Sequence, residues 1–323
     1  MKGSVTVIVR NAKTKYEFTI KRNITVIKGN SATGKTTLID MIREHNLNGE
    51  DSGIELYCSQ KCVVIEGNTW KEQLALQQQS IVFIDEGNRF TASKEFAAEI
   101  RGTDNYYVLV TRENLVSLPY SVEEIYGIRS IGKYSGLNQI YHEFYHIYTK
   151  DNVNEQIKPE IIVTEDSNAG YQFFESICGT GGIACINAAG KSNIIQKVKE
   201  FRHEKLLVIA DGAAFGPEME TVMKLVEQYP NIAVYLPESF EWIILMSGCV
   251  NDKVILNMSN DWGKYIESKQ YFSWEQFFTD LLITRTHGTY LQYSKKNINH
   301  AFLKGLLREK ILNQMEKIDF SNA

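Results

Sequence analysis

The first stretch of this chain whose residue types and spacing indicate chemistry is "GNSATGKT", where Gly29, Gly34, Lys35 and Thr36 follow the pattern G-x-x-x-x-G-K-[ST]. In such a loop the glycines let main-chain N–H groups curl around phosphate groups, and the start of the following helix adds a partial positive charge. The lysine reaches the β- and γ-phosphates, and the threonine hydroxyl can ligate Mg²⁺. The pattern therefore predicts a nucleotide-binding loop made of Gly29, Asn30, Ser31, Ala32, Thr33, Gly34, Lys35, Thr36 and Thr37.

A pair of acidic residues could complete a nucleotide site together with this loop. Asp85 and Glu86 directly follow the apolar run "SIVFI". Continuous apolar runs are typical of strands buried on both faces, and α/β proteins bind ligands at the carboxyl ends of such strands. We expect Asp85 to hold a magnesium ion and Glu86 to orient an attacking water molecule. The next predicted strand, "YYVLV", ends in Thr111 and Arg112, which would sense a γ-phosphate if that strand lies beside the Asp85 strand.

With short strands before the loop and a helical pattern after it, the two motifs resemble Walker A and Walker B of the P-loop ATPases, over roughly the first 130 residues. The resemblance implies that ATP and Mg²⁺ are cofactors and that Lys35 and Glu86 are catalytic. Such sites are often completed by an arginine from a neighbouring subunit, so a homo-oligomer is expected. A small-molecule kinase fits less well because the Asp85–Glu86 pair resembles a hydrolytic Walker B.

Carboxylates also end two predicted strands of the second half: Glu165 and Asp166 follow "IIVT", and Asp211 follows "LLVIA". Strands and helices alternate from "EIIVT" to "NIAVYLP", which predicts a mostly parallel sheet with helices on both faces. "NAAGKSN" echoes the first loop, but Cys185 stands where its first glycine should be, so it is a strand-to-helix turn. We expect Asp211 to face Glu165, with a divalent metal or Lys191 between the two carboxylates.

The second half resembles the TOPRIM fold of topoisomerases, primases and the overcoming-lysogenisation-defect nucleases, including TOPRIM-like proteins linked to phage defence. The resemblance implies that Glu165 is a general acid/base and that Asp211 begins an Asp-x-Asp pair that binds Mg²⁺ for phosphodiester chemistry. Ala213 stands in place of the second aspartate. Three downstream glutamates are candidates to replace it: Glu218, Glu238 and Glu241. Either the nuclease site is degenerate or the resemblance is only topological.

These elements predict an α/β protein of two domains, a P-loop parallel-sheet domain at 1–150 and a TOPRIM-like or Rossmann-like domain with a C-terminal helical extension at 158–323. The boundary is the polar segment "YTKDNVNEQIKPE". We expect an ATP-binding, ATP-hydrolysing protein coupled to a nucleic-acid-directed domain in defence against phages or mobile elements. The alternative is a nucleotide-gated scaffold that cleaves nothing.

Composition limits the possible partners. The chain is 43% hydrophobic and 23% charged, and it lacks an apolar run of the roughly 18 residues that span a bilayer, so we expect a cytoplasmic protein without membrane contact. The net charge of −4 provides no global basic field for nucleic acid. A nucleic-acid contact must therefore use a local patch such as "YSKKNINHAFLKGLLREK", for which a solvated amphipathic helix is the simpler interpretation; the other expected partner is a protein.

Two patterns could suggest zinc, and neither is expected to bind it. The five cysteines are an odd number, which favours reduced thiols, and the pair Cys58 and Cys62 in "CSQKC" has no second close pair to complete a four-cysteine site. "YHEFYHIY" contains H-E-x-x-H at His142, Glu143 and His146. Its aromatic and β-branched neighbours predict a strand and not the helix that a metalloprotease needs.

Overall fold

The chain folds into two compact units in a computed structural model that describes residues 1–29, 33–131, 140–153, 155–165, 167–179 and 182–320. Unit 1 contains Met1–Tyr148 and Asp261–Ser273, and unit 2 contains Thr149–Asn260 and Trp274–Ala323. The expected domains were 1–150 and 158–323, so the segment Asp261–Ser273 is an addition to the first one. In the described part of the chain, no helix is long and apolar enough to cross a membrane.

Unit 1 contains one nine-stranded sheet. Its strands are β1 (Val5–Arg10), β2 (Thr14–Ile20), β3 (Ile24–Ile27), β4 (Glu55–Cys58), β5 (Lys61–Val64), β6 (Ser80–Ile84), β7 (Tyr106–Val110), β8 (Ile125–Ile131) and β9 (Ile140–His146). They lie in the order β4-β1-β2-β9-β8-β3-β7-β6-β5. Every residue of β3, β6 and β7 is buried, as continuous apolar runs predict, whereas buried residues alternate with more exposed ones along β1.

This sheet is mixed, which corrects the parallel sheet expected for the first domain. The strands β3, β7, β6 and β5 run parallel to one another, but the pairs β1–β2, β1–β4 and β8–β9 are antiparallel. A tight turn reverses the chain between β1 and β2, where Asn11 Oδ1 accepts hydrogen bonds from the main-chain N–H groups of Lys13 and Thr14 at 2.8 and 2.9 Å. Turns of this kind favour antiparallel neighbours.

Among the described residues of unit 1, three helices accompany the sheet: α1 (Lys35–Asn48), α2 (Trp70–Ala75) and α3 (Lys94–Ile100). Short 3₁₀ turns cover Gly49–Ser52, Arg89–Ala92, Val122–Glu124 and Trp262–Lys264. The buried face of α1 joins residues of β1, β2, β6 and β7 in one apolar core. Because the helix contacts β1, β4 and β5, it packs against strands from both ends of the sheet.

Unit 2 is built on a parallel sheet, as the alternation of strands and helices predicted. Its strands are β10 (Ile161–Thr164), β11 (Ala184–Asn187), β12 (Leu206–Ile209) and β13 (Ile232–Tyr235), in the order β11-β10-β12-β13. Its helices are α4 (Ala169–Cys178), α5 (Lys191–Glu200), α6 (Gly216–Gln228), α7 (Phe240–Met246), α8 (Lys253–Met258), α9 (Trp274–Thr286) and α10 (Gly305–Leu312), with 3₁₀ turns at His300–Leu303 and Asn313–Met315. β10 and β12 are direct neighbours, so their carboxyl ends meet at one edge of the sheet.

Candidate functional site

The turn that leads from β3 into α1 requires glycine at Gly34. This residue has φ of +93°, and a Cβ atom there would lie 2.7 Å from Tyr16 Oη and 2.8 Å from His142 Cε1. Tyr16 Oη donates a hydrogen bond to the carbonyl oxygen of Gly34 at 2.8 Å. The main chain is thus held directly against two aromatic side chains, and any larger residue would displace them.

Lys35 opens α1 and is only 5% exposed. Its Nζ donates to the carbonyl oxygen of Gly29 at 2.8 Å and to Thr33 Oγ1 at 3.1 Å, so the side chain folds back over its own turn. Within the described residues, no side chain caps the start of this helix. Burial lowers the pKa of Lys35, and the nearby carboxylates of Glu86 and Asp85 partly offset that effect.

The acidic residues after β6 lie close enough to Lys35 to act on its charge. β7 lies between β3 and β6. Thr111 and Arg112, which follow β7, are therefore beside the acidic pair, and this is the arrangement in which they could sense a γ-phosphate. The main-chain N–H of Glu86 donates to Asp85 Oδ1 at 2.7 Å, and Arg112 Nε lies 2.7 Å from Glu86 Oε1. Burial raises the pKa of Asp85, so its charge is destabilised while no cation binds it.

Of the other residues expected in this loop, Thr36 and Thr37 lie exposed on the first turn of α1. Asn30, Ser31 and Ala32 are outside the described residues.

Sequence reasoning missed two residues near this turn, Tyr16 and His142, because strand pairing and not local sequence brings them there. His142 lies on β9 beside β2, and its ring stacks on Tyr16 at a centroid distance of 4.3 Å. His146, the second histidine of the H-E-x-x-H pattern, packs against Tyr126 instead. The predicted strand over this pattern is confirmed.

A second group of polar residues lies in unit 2, where β10 and β12 end. We call it the acidic pocket and define it by five of its lining residues: Glu165, Asp211, Glu241, Tyr293 and Lys295. The main-chain N–H of Asp211 donates to Glu165 Oε2 at 3.4 Å, so the two strand ends meet as predicted. Tyr293 Oη donates to Glu241 Oε1 at 2.8 Å.

Lys295 supplies the positive charge of the acidic pocket. Its Nζ lies 2.5 Å from Oε1 of Glu275, which belongs to α9, and its carbonyl oxygen accepts from the main-chain N–H of Ala169 at the start of α4. Burial opposes the ammonium group, but Glu275, Asp211 and Glu241 outweigh burial and raise the pKa of Lys295. Burial, followed by Glu275, Glu165 and Glu241, raises the pKa of Asp211 well above its ordinary value.

Lys191 does not neutralise these carboxylates, contrary to one of the two expectations. Its Nζ donates to the carbonyl oxygen of Ala214 at 3.1 Å and lies 3.8 Å from Glu218 Oε2. Glu238 is paired with Lys150 at 2.9 Å. Of the three glutamates considered as replacement ligands, Glu241 alone lines the pocket.

Among the described residues, which exclude Asp166, no group of three or more His, Cys, Asp or Glu side chains could hold a metal ion. Ala213 is 2% exposed, and a Cβ atom on Gly212 would lie 2.4 Å from the carbonyl oxygen of Leu236. An aspartate in place of Ala213 would therefore be a buried carboxylate in a closely packed turn.

Comparison with known proteins identified no relative: no protein-family model matches the chain, and no curated protein is detectably similar to it. Functional inference therefore depends on the geometry of the turn before α1 and of the acidic pocket.

Proposed function

We propose that unit 1 binds ATP with Mg²⁺ and hydrolyses it. One observation supports this proposal above the others: Lys35, the Asp85–Glu86 pair and Arg112 influence one another's charge where β3, β7 and β6, three adjacent parallel strands, end. The carboxyl ends of parallel strands are where α/β proteins bind ligands.

Each residue has a role that fits its surroundings. Lys35 donates to a carbonyl oxygen and to a hydroxyl oxygen, and a phosphate would be a stronger acceptor for its ammonium group. Thr36 and Asp85 would hold Mg²⁺, which supplies positive charge for the phosphate oxygens when it is bound. The raised pKa of Asp85 fits a carboxylate that a cation would stabilise. Glu86 would orient the attacking water.

A second candidate function is a nucleotide-gated switch that binds ATP without turning it over. It is favoured by the ion pair between Arg112 and Glu86, because the arginine partly neutralises the carboxylate that would orient the water molecule. In the hydrolytic case Arg112 has to leave Glu86 and approach the γ-phosphate when ATP binds. In the switch case the pair persists in the bound form.

For unit 2 we propose recognition of a nucleic acid or a partner protein without cleavage. Lys295 gives the carboxylates a cation from the chain itself, and Ala213 replaces a metal ligand. The excess of carboxylates also repels phosphate groups, so a nucleic acid would contact another surface of this unit. Cleavage of DNA or RNA that requires Mg²⁺ or Mn²⁺ and is lost in Asp211→Asn would contradict this proposal.

The experiment for unit 1 measures ATP affinity by calorimetry and steady-state phosphate release on the full chain, with Mg²⁺ present. Lys35→Ala should abolish binding, and Glu86→Gln should retain binding and lose turnover. Lys94→Ala is a matched control, because Lys94 also opens a helix but is exposed, and the start of that helix is capped by Ser93. We expect the control to bind and turn over ATP as the natural chain does.

Turnover that Glu86→Gln removes supports the ATPase. Tight binding without turnover in the natural chain supports the switch. If Lys35→Ala binds ATP normally, or the natural chain binds none, both proposals are wrong.

A further inference from the structure

Two cysteines lie where the opposite edges of the nine-stranded sheet approach each other. Cys58 is the last residue of β4 and Cys62 is the second residue of β5, and these strands form the two ends of the strand order. Only Ser59 and Gln60 connect them. Three Cα–Cα steps span at most about 11 Å, so the sheet must curl until its edges almost meet around α1, which contacts both strands.

The main chain of Gln60 forms hydrogen bonds with the sulfur atoms of both cysteines. Its N–H donates to Cys58 Sγ at 3.4 Å, and its carbonyl oxygen accepts from Cys62 Sγ at 3.8 Å. Both sulfur atoms therefore lie against the same peptide unit, and each thiol affects the pKa of the other. A disulfide needs two sulfur atoms that can approach each other, and the shared contact with Gln60 holds these two on the same short connection.

The two thiols differ in reactivity. The neighbouring Cys62 thiol lowers the pKa of Cys58 to about 7, whereas Cys58 and burial raise the pKa of Cys62. Cys58 is partly exposed, and Cys62 is 4% exposed. Cys58 is thus the thiol that ionises more easily and that an external reagent can reach. Cys62 is buried next to it and is less accessible to the reagent.

The other cysteines provide an internal comparison. Cys178 and Cys185 also affect each other's pKa, but the thiol whose pKa is lowered there is Cys178, which is 1% exposed. Burial raises the pKa of Cys249, which has no thiol partner among the described residues. Neither arrangement presents a reactive thiolate to solvent.

We propose that Cys58 and Cys62 are a modification site, a thiol pair that a low-molecular-weight disulfide of the glutathione class oxidises to an intramolecular disulfide. The Cys58 thiolate attacks one sulfur of the reagent, and the other sulfur leaves as a thiolate with the bonding electron pair. Cys62 then loses its proton and attacks Cys58 Sγ, and the second glutathione thiolate leaves. The two cysteine sulfurs are oxidised, the reagent is reduced to two thiols, and the new bond joins the two edges of the sheet.

The expected preference for Cys58 follows from its ionisation. At pH 7 a pKa of about 7 gives about 15 times more thiolate than an ordinary thiol, while the weaker nucleophilicity of a stabilised thiolate reduces that advantage about fivefold. Ionisation alone therefore favours Cys58 about threefold over an ordinary exposed thiol, and burial slows the other cysteines further.

The experiment incubates the full natural chain in glutathione buffers of increasing oxidised fraction, blocks free thiols after an acid quench, and maps peptides by mass spectrometry. Trypsin cleaves after Lys61, so the disulfide is identified as two peptides held together by the Cys58–Cys62 bond. We expect this bond to form first of all and Cys58 to be the first thiol alkylated under reducing conditions. Cys62→Ala should accumulate glutathione on Cys58, and Cys58→Ala should leave Cys62 unmodified.

Three results would overturn the proposal. The first is stable glutathione on Cys58 of the natural chain with Cys62 still free. The second is closure of Cys178–Cys185 before Cys58–Cys62. The third is no reaction at either thiol in the most oxidising buffer. The mapping uses the natural chain, so these outcomes do not depend on how the variants fold, and they are independent of nucleotide binding.

Discussion

Asp211→Asn is expected to stabilise the protein at neutral pH, although it changes a residue at the centre of the acidic pocket. Burial and the carboxylates of Glu275, Glu165 and Glu241 raise the pKa of Asp211 in the folded state. A carboxyl group of this kind contributes its full stability below its unfolded pKa of about 3.9, and the contribution is lost as the pH rises through the folded pKa. The amide keeps the shape of the side chain and removes the charge that causes this loss.

The magnitude follows from the charges around Asp211. Two carboxylates about 6 Å apart repel each other by about 3 kcal/mol at an effective dielectric constant of about 20. Attraction to Lys295 cancels part of this repulsion, and Asp211 remains partly exposed. We expect Asp211→Asn to raise the free energy of unfolding by about 1–2 kcal/mol at a pH of about 8, and to leave it almost unchanged at a pH of about 4.

The assay is urea unfolding of the full chain in EDTA at these two pH values, followed by fluorescence and circular dichroism. Asp51→Asn is the control, since Asp51 is an exposed residue of the 3₁₀ turn Gly49–Ser52, and the substitution should leave the stability unchanged at both pH values. Lys295→Met should destabilise the protein at a pH of about 8, and adding Asp211→Asn should restore part of the lost stability.

A loss of stability in Asp211→Asn, or an equal gain at both pH values, would refute the reasoning. If Mg²⁺ stabilises the natural chain and not Asp211→Asn, a metal and not Lys295 balances these carboxylates.

Gly34→Ala should destabilise unit 1 by about 1–3 kcal/mol in urea unfolding, because it combines a positive φ with a Cβ atom 2.7 Å from Tyr16 Oη; a variant as stable as the natural chain would show that the aromatic side chains move freely. Glu124 is 2% exposed, and burial raises its pKa to about 7, so its contribution to stability is full below the unfolded pKa of about 4.3 and disappears as the pH rises through about 7. Glu124→Gln should flatten that pH dependence in thermal unfolding between pH values of about 5 and 8, and an unchanged slope would contradict this assignment.

The proximity of Glu165 and Asp211 could be predicted because it depends on local patterns. Each residue directly follows an apolar run, and the alternation of strands and helices places such ends at one edge of a parallel sheet. Lys295 could not be found in this way. It comes from a segment after α9 within a basic stretch whose pattern favours a solvated amphipathic helix, and no local pattern shows which pocket a lysine enters.

The surroundings of the loop before α1 show the same limit. The spacing of Gly29, Gly34 and Lys35 predicts the turn and the helix, and the apolar run before Asp85 predicts that the acidic pair follows a buried strand. Tyr16 reaches Gly34 because β2 pairs with β9, two strands far apart in the sequence. Pairing between distant strands depends on the packing of the whole sheet, and for that reason the mixed character of the sheet was also missed.

The path of the chain through the two units determines the order in which a ribosome can complete them. Asn23 Nδ2 donates to the carbonyl oxygens of Ser268 and Tyr271 at 3.2 and 2.8 Å, so unit 1 needs a segment that is synthesised after all four strands of unit 2. Domains usually fold as they emerge, beginning with the amino-terminal one. Here the sheet of unit 2 can form while the amino-terminal unit still lacks its last segment. During synthesis the curled sheet around α1 is therefore exposed to chaperones and proteases for longer than its place at the start of the chain suggests.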